Sequence, residues 1–209
     1  MKIFKLKGKT KGPKGLVVGG LHGDELTPLL ILERLKSAKL QKGELTIIPF
    51  VNTQGLQEKT HGKGEIEDLN RCFNDNSIEE VDVINKLVDK VDFVIDLHTH
   101  RSTTTKTYAV VIDKTATTKE SLKLASCFGI KNVELADPIE LKNRLAGTLF
   151  FSAAKKGKPN IVIEMNNVDC MSGKEIHILS RRFLDLNTRF LKRNISTKNL
   201  TICKPVKSK

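Results

Sequence analysis

The sequence predicts an α/β domain in which one mixed, twisted sheet lies between two layers of helices. Three observations predict it. Short apolar runs (Leu16–Val18, Leu45–Val51, Val91–Leu97, Ile161–Met165) alternate with stretches of helical spacing, the pattern of a sheet covered on both faces. The length, 209 residues, fits a single compact domain spanning 1–209. The apolar residues, 39% of the chain, are gathered into those runs, which argues against disorder. With aromatics at 5%, no Trp and one Tyr, the core has to be built from Leu, Ile, Val and the nine Phe.

Met1–Lys7 alternates lysine with Ile3, Phe4 and Leu6 as a strand does, and Gly8–Gly15 reads as a Gly/Lys/Pro turn. Leu16–Val18 is a short strand ending in Gly19-Gly20. A helical pattern runs from Asp24 through Leu29, Leu30, Leu32 and Leu35 to about Leu40. Leu45–Val51 is a strand whose Pro49 suggests an edge or a bulge. Asn52–Cys72 is a long polar loop, of the kind that carries function. Ser77, with Glu80 three residues on, matches a capping box and opens a helix to about Lys90. Val91–Leu97 and Thr107–Ile112 are strands, Thr118–Phe128 a helix, and Glu134–Arg144 irregular around Pro138. Leu145–Lys156 is helical, Ile161–Met165 a strand, Gly173–Arg193 a long amphipathic helix and Asn199–Cys203 a last strand.

Composition excludes several classes. No run approaches the roughly 20 apolar residues that cross a bilayer. Met1–Lys14 has no continuous apolar core of a signal peptide. Four scattered cysteines (Cys72, Cys127, Cys170, Cys203) form no C-x-x-C pair, so neither a disulfide framework nor a cysteine zinc site is expected. Reduced thiols and the missing signal point to the cytoplasm. Lys and Arg number 36 against 24 Asp and Glu, a net charge of +12. That charge suits a solvated surface, an anionic small substrate, or a noncatalytic basic module that binds polyanions. Scattered lysines and the scarcity of aromatic stacking platforms speak against nucleic acid.

Four constellations carry chemistry. In Gly19-Gly20-Leu21-His22-Gly23-Asp24-Glu25, His22 and Glu25 stand three apart where a strand gives way to a helix, so both can face one ion. Alone, H-x-x-E usually marks a surface pair. In Asp96-Leu97-His98-Thr99-His100, a histidine closes a strand, the place where ligands gather in open α/β sheets. Asp96 is a candidate to hold its ring, although adjacent strand residues point apart. His22, Glu25 and His98 together form a two-histidine, one-glutamate set, which leaves zinc a fourth position for water. Glu164 is a lone carboxylate in the apolar run Ile161-Val162-Ile163. Buried and unpaired it is costly, unless its raised pKa is used to accept and return a proton. In Asp68-Leu69-Asn70-Arg71, the arginine offers a planar fork for a substrate carboxylate and Asn70 a neutral donor.

H-G-D-E, D-L-N-R, D-L-H-T and a late glutamate, in that order over Gly19 to about Asn166, resemble the succinylglutamate desuccinylase/aspartoacylase family, a branch of the zinc carboxypeptidase-like fold. The resemblance implies one zinc ion per chain on His22, Glu25 and His98. It implies Asn70 and Arg71 as binders of a substrate carboxylate and Glu164 as general base and acid. The family's carbonyl-polarising arginine has no counterpart in His61–Glu67; Lys63 or Arg101 are the substitutes. Its tyrosine has no firm counterpart either, since Tyr108, the only one, reads as a strand residue. Few residues follow Glu164, so the family's usual C-terminal β-rich domain is not expected and the cleft should be more open. The implied activity is zinc-dependent amide hydrolysis on an N-acyl amino acid, or alternatively on a peptide with a free carboxylate.

Overall fold

A computed structural model describes residues 1–100, 106–139, 146–190 and 196–203. Eight strands form one sheet: β1 (Phe4–Lys7), β2 (Thr10–Gly19), β3 (Lys42–Ile48), β4 (Phe93–Thr99), β5 (Tyr108–Ile112), β6 (Asn132–Ala136), β7 (Asn160–Met165) and β8 (Thr201–Cys203). Their order is β1-β3-β2-β4-β7-β5-β6-β8. Strands β3, β2, β4 and β7 run parallel, β1 and β5 pair antiparallel with β3 and β7, and β6 and β8 run parallel to β5. The mixed α/β architecture expected from the sequence is the one observed.

Alternation along the strands feeds a core on each face. Val17, Phe93, Ile95 and Leu97 point to the face covered by α1 (Leu26–Glu33), α4 (Thr118–Phe128) and α6 (Gly173–Phe190), where Ile31, Leu124, Phe128 and Phe183 bury. Leu16, Val18 and Val94 point to the other face, under α3 (Glu79–Asp89) and α5 (Leu149–Lys155). A small cluster of Ile112, Phe150 and Val162 continues that second face toward β5.

Several element boundaries differ from expectation. Strand β2 takes in most of the predicted turn, starting at Thr10, with a register irregularity before Lys14. Helix α1 stops at Glu33, because the next residues close i→i+3 turns (Leu35 N–H to Leu32 O, Ala38 N–H to Leu35 O) that bury Leu35 by another route. Pro49 is not on an edge strand: β3 lies between β1 and β2, and Pro49 stands just past its end, where no ladder donor is needed. The stretch read as one long loop holds α2 (Thr53–Glu58), capped by Asn52 accepting from the Gly55 N–H, and a 3-10 turn at Leu69–Arg71. The Ser77 capping box does not form. Helix α3 begins after Ile78, the Ser77 N–H donates to Asp75, and Glu80 is bonded to Lys63. The region expected to be irregular before Pro138 is β6. The ends of the two helices predicted at Leu145 and Arg193 lie outside the described residues; within them, α5 starts at its cap Thr148.

Candidate metal centre and active site

Three parallel strands, β2, β4 and β7, finish at the same end of the sheet, and the chemistry collects there. Strand β2 runs out at Gly19, and Gly20 turns the chain with φ +64°, where a Cβ would meet the Phe50 ring at 2.3 Å. That turn delivers His22 and Glu25 just before α1, rather than within it. On β4, Asp96 and His98 are two residues apart and share a face. The expectation that strand spacing would part Asp96 from the histidine is therefore corrected, because the parting holds for i and i+1 and not for i and i+2. On β7, Glu164 pairs in register with His98 and, across β5, with Tyr108.

His22, Glu25 and His98 converge, all buried (8%, 7% and 5% exposed). His22 Nδ1 lies 2.8 Å from Glu25 Oε1, His98 Nδ1 lies 3.2 Å from Glu25 Oε2, and the two Nδ1 atoms are 3.2 Å apart. The far nitrogens face carboxylates: His22 Nε2 is 3.0 Å from Asp68 Oδ1 and His98 Nε2 is 3.1 Å from Asp96 Oδ2. Asp68 assigns the His22 N–H to Nε2, while His98 Nε2 lies between the Asp96 carboxylate and the Asn70 amide nitrogen; the Nδ1 atoms of both rings face the Glu25 carboxylate. Two imidazole nitrogens and a carboxylate converging on one spot are a donor set that fits a cation. Donors about 2.0–2.1 Å from a tetrahedral ion stand about 3.3 Å apart, close to the spacing seen.

The electrostatics agree. Burial works against the charge of Glu25, but His98 and His22 outweigh it and hold its pKa at about 2. Asp68 is likewise held at about 2 against its own burial, by His22 and Arg71. The pKa of His98 is raised well above the ordinary value, burial being overcome by Asp96 and Glu25, and that of His22 is raised by Asp68 and Glu25. The carboxylates around the two rings thus demand positive charge at their centre.

A cleft of about 160 Å³ opens beside this cluster, lined by His22, Asn70, Arg71, His98 and Glu164 with the apolar Val110, Phe150 and Val162. Burial lifts Glu164 to about 7; His98 opposes the rise, while Glu25 and Asp96 add to it. Arg71 is anchored through Nη1 to its neighbour's carbonyl (2.9 Å) and to Asp68 (3.3 Å), with nearly half of the side chain exposed. The backbone there is fixed by Gly147, where a Cβ would lie 1.8 Å from Arg71 O, and by the Phe73 N–H donating to Gly147 O. Asn70 Oδ1 accepts from the Leu149 N–H at 3.0 Å, which turns its amide nitrogen toward His98 Nε2, 3.2 Å away.

Other expected site residues fall elsewhere. Lys63 Nζ sits between both oxygens of Glu80 (2.7 and 2.6 Å) and does not line the cleft. Arg101 lies outside the described residues. Tyr108 is half-buried on β5; burial, then Glu164, raises its pKa. Sequence reasoning missed two residues. Asp68 was read as part of a motif without a task, yet it holds His22. His61 stacks on the His22 ring (centroids 3.9 Å, 18° between planes) and bonds through Nδ1 to Asp24 at 3.0 Å. Its position in a glycine-rich loop gave no signal, since the stack depends on a contact 39 residues away in sequence.

The model of the succinylglutamate desuccinylase/aspartoacylase catalytic domain matches residues 11–187. The chain belongs to that family, and its sheet has the zinc carboxypeptidase-like fold. No curated protein matches the chain in a direct sequence search. Among solved structures, it is similar to a succinylglutamate desuccinylase/aspartoacylase from Rhodobacter sphaeroides (21% identity, TM-score 0.71, 88% of this chain and 57% of that one). It is also similar to the product-bound ectoine utilization protein EutE (DoeB) from Ruegeria pomeroyi (19%, 0.74, 93% and 62%). The cell shape determinant protein Csd4 from Helicobacter pylori, product-bound, shares the fold at 14% identity (0.69, 95% and 58%). The chain thus spans about three-fifths of the length of these relatives. No helix among the described residues is long and apolar enough to cross a membrane.

Proposed function

We propose that this chain is a zinc-dependent amide hydrolase that removes the acyl group from an N-acyl amino acid. The observation that carries the reading is the convergence of His22 Nδ1, His98 Nδ1 and the Glu25 carboxylate beside a cleft walled on another side by Glu164. Zinc held by those three residues would supply Lewis-acid polarisation of an amide carbonyl and would acidify water. Asp68 and Asp96 orient the two imidazoles from behind. Glu164, lifted to about 7 by burial, takes a proton from the attacking water at its carboxylate and returns it to the departing nitrogen. Arg71 presents the free edge of its guanidinium to the substrate carboxylate, and Asn70 completes that wall. Val110, Phe150 and Val162 keep the opposite side of the cleft dry. Lys63 is held by Glu80 away from the cleft, and Arg101 is the other candidate for a further positive charge at the carbonyl. The reading places the protein in the cytoplasm, as a single domain acting on a small anionic substrate.

The test has two parts. Metal analysis of the purified protein should find about one zinc per chain, lost in His98→Ala. Glu164→Gln should retain the zinc and lose at least 100-fold in turnover of N-acyl amino acids. A chain that takes up no metal when zinc is supplied, or a Glu164→Gln variant as fast as wild type, overturns the reading.

A further inference from the structure

A second cavity, about 380 Å³, lies between α6 and the starts of β5 and β6. Because β5 runs antiparallel to β7, those starts sit at the same end of the sheet as the catalytic cleft. The cavity is on the opposite face, the one α6 covers. Its floor is apolar, with Ile130 and Leu179 buried. Three cations line it: Lys106, Lys131 and Arg182. None of the three side chains has a hydrogen bond or ion pair among the described residues. Lys106 and Lys131 are exposed, so water can solvate them. Arg182 is half-buried, its guanidinium packed 3.2 Å from where a Cβ at Gly129 would stand, with burial and then Arg189 lowering its pKa. Among the described residues the wall has one carboxylate, Glu175, whose Oε2 accepts from both the N–H and the hydroxyl of Ser172 at 2.8 Å.

A half-buried guanidinium with no ion-pair partner is disfavoured by desolvation, and Lys106 and Lys131 add positive charge to the wall of the same pocket. An anion relieves both. A lone inorganic ion would leave the apolar floor uncovered, whereas an organic anion would satisfy the cations and cover Ile130 and Leu179 together. The catalytic residues have no part in this arrangement, and Glu175 offsets at most one of its three positive charges.

We propose that this cavity is a binding site for a small organic anion, a carboxylate or phosphate group carried on an apolar body. Titration calorimetry of zinc-supplemented full chain with octanoate, octyl phosphate, neutral octanamide and inorganic phosphate at matched ionic strength tests it. Octanoate or octyl phosphate should bind saturably at one site, at least tenfold tighter than octanamide and inorganic phosphate; whichever binds tighter identifies the head group. Arg182→Gln and the exposed Lys131→Gln should each weaken that binding at least fivefold. Arg71→Gln, in the catalytic cleft, should leave it unchanged. Absence of saturable binding, equal binding of octanamide, indifference to both cavity variants, or loss in Arg71→Gln overturns the assignment.

Discussion

Asp68 shows how much a single side chain can decide. One of its oxygens bonds His22 and accepts the Asn70 N–H, and the other meets Arg71, so the ligand cluster and the arginine fork are set by one carboxylate. Asp68→Asn keeps the shape and removes the charge; zinc affinity measured by chelator competition should fall about 10–100-fold. His61 acts on the same ring by stacking. His61→Ala should weaken zinc binding by a smaller factor, and His61→Phe should restore it, because the stacked face and not the imidazole nitrogen supports His22. The Lys63–Glu80 pair carries a pH signature. Burial disfavours the Glu80 charge, but Lys63 outweighs it, so the folded pKa is lowered from 4.5. The stability from the pair is therefore present above pH 4.5 and lost as pH falls through that lowered pKa. Wild type should exceed Glu80→Gln by up to about 1 kcal/mol in urea unfolding at pH 7, the gap closing below pH 4.5.

At the scale of elements, the connection into α5 is the part that positions the substrate wall. Gly147 lies against the Arg71 backbone, and Thr148 caps α5 by accepting the Phe151 N–H at 3.1 Å. Gly147→Ala must push the two segments apart. It should cost about 1–3 kcal/mol in denaturant unfolding, and KM should rise as Arg71 shifts, while zinc content stays near one per chain. The strands were legible where burial on both faces makes a continuous apolar run, as in β4 and β7. Strand β6 was not legible, because Asn132–Ala136 is only five residues long and a proline follows two residues later. Helix α3 was found, but its start was misread, since Glu80 had a stronger partner in Lys63 than a cap could offer.

The whole molecule divides labour between the two faces of its sheet. The face under α1, α4 and α6 holds the larger apolar core, with Phe128 and Phe183 edge-to-face at 4.6 Å. The other face carries the cleft. Phe183→Ala should cost about 3–5 kcal/mol in unfolding free energy yet leave zinc affinity unchanged, because the cavity opens behind the sheet. Zinc binding should in turn stabilise the fold. At a free concentration a hundred times the dissociation constant, the gain is about 2.7 kcal/mol, seen as a raised Tm that chelator removes and that His98→Ala never shows.

The alternation of strand and helix, the place of His22 and His98 at strand ends and the isolation of Glu164 in an apolar run are all legible along the chain. These follow from local periodicity and from the cost of a charge among apolar neighbours, both of which are written in consecutive residues. Which side chains share a charge is set by the packing of distant segments. That Asp68 holds His22, that Lys63 is spent on Glu80 and that His61 stacks on a ligand ring all join residues 17 to 46 positions apart. Contacts at that range depend on how the sheet orders its strands, and no local pattern encodes them.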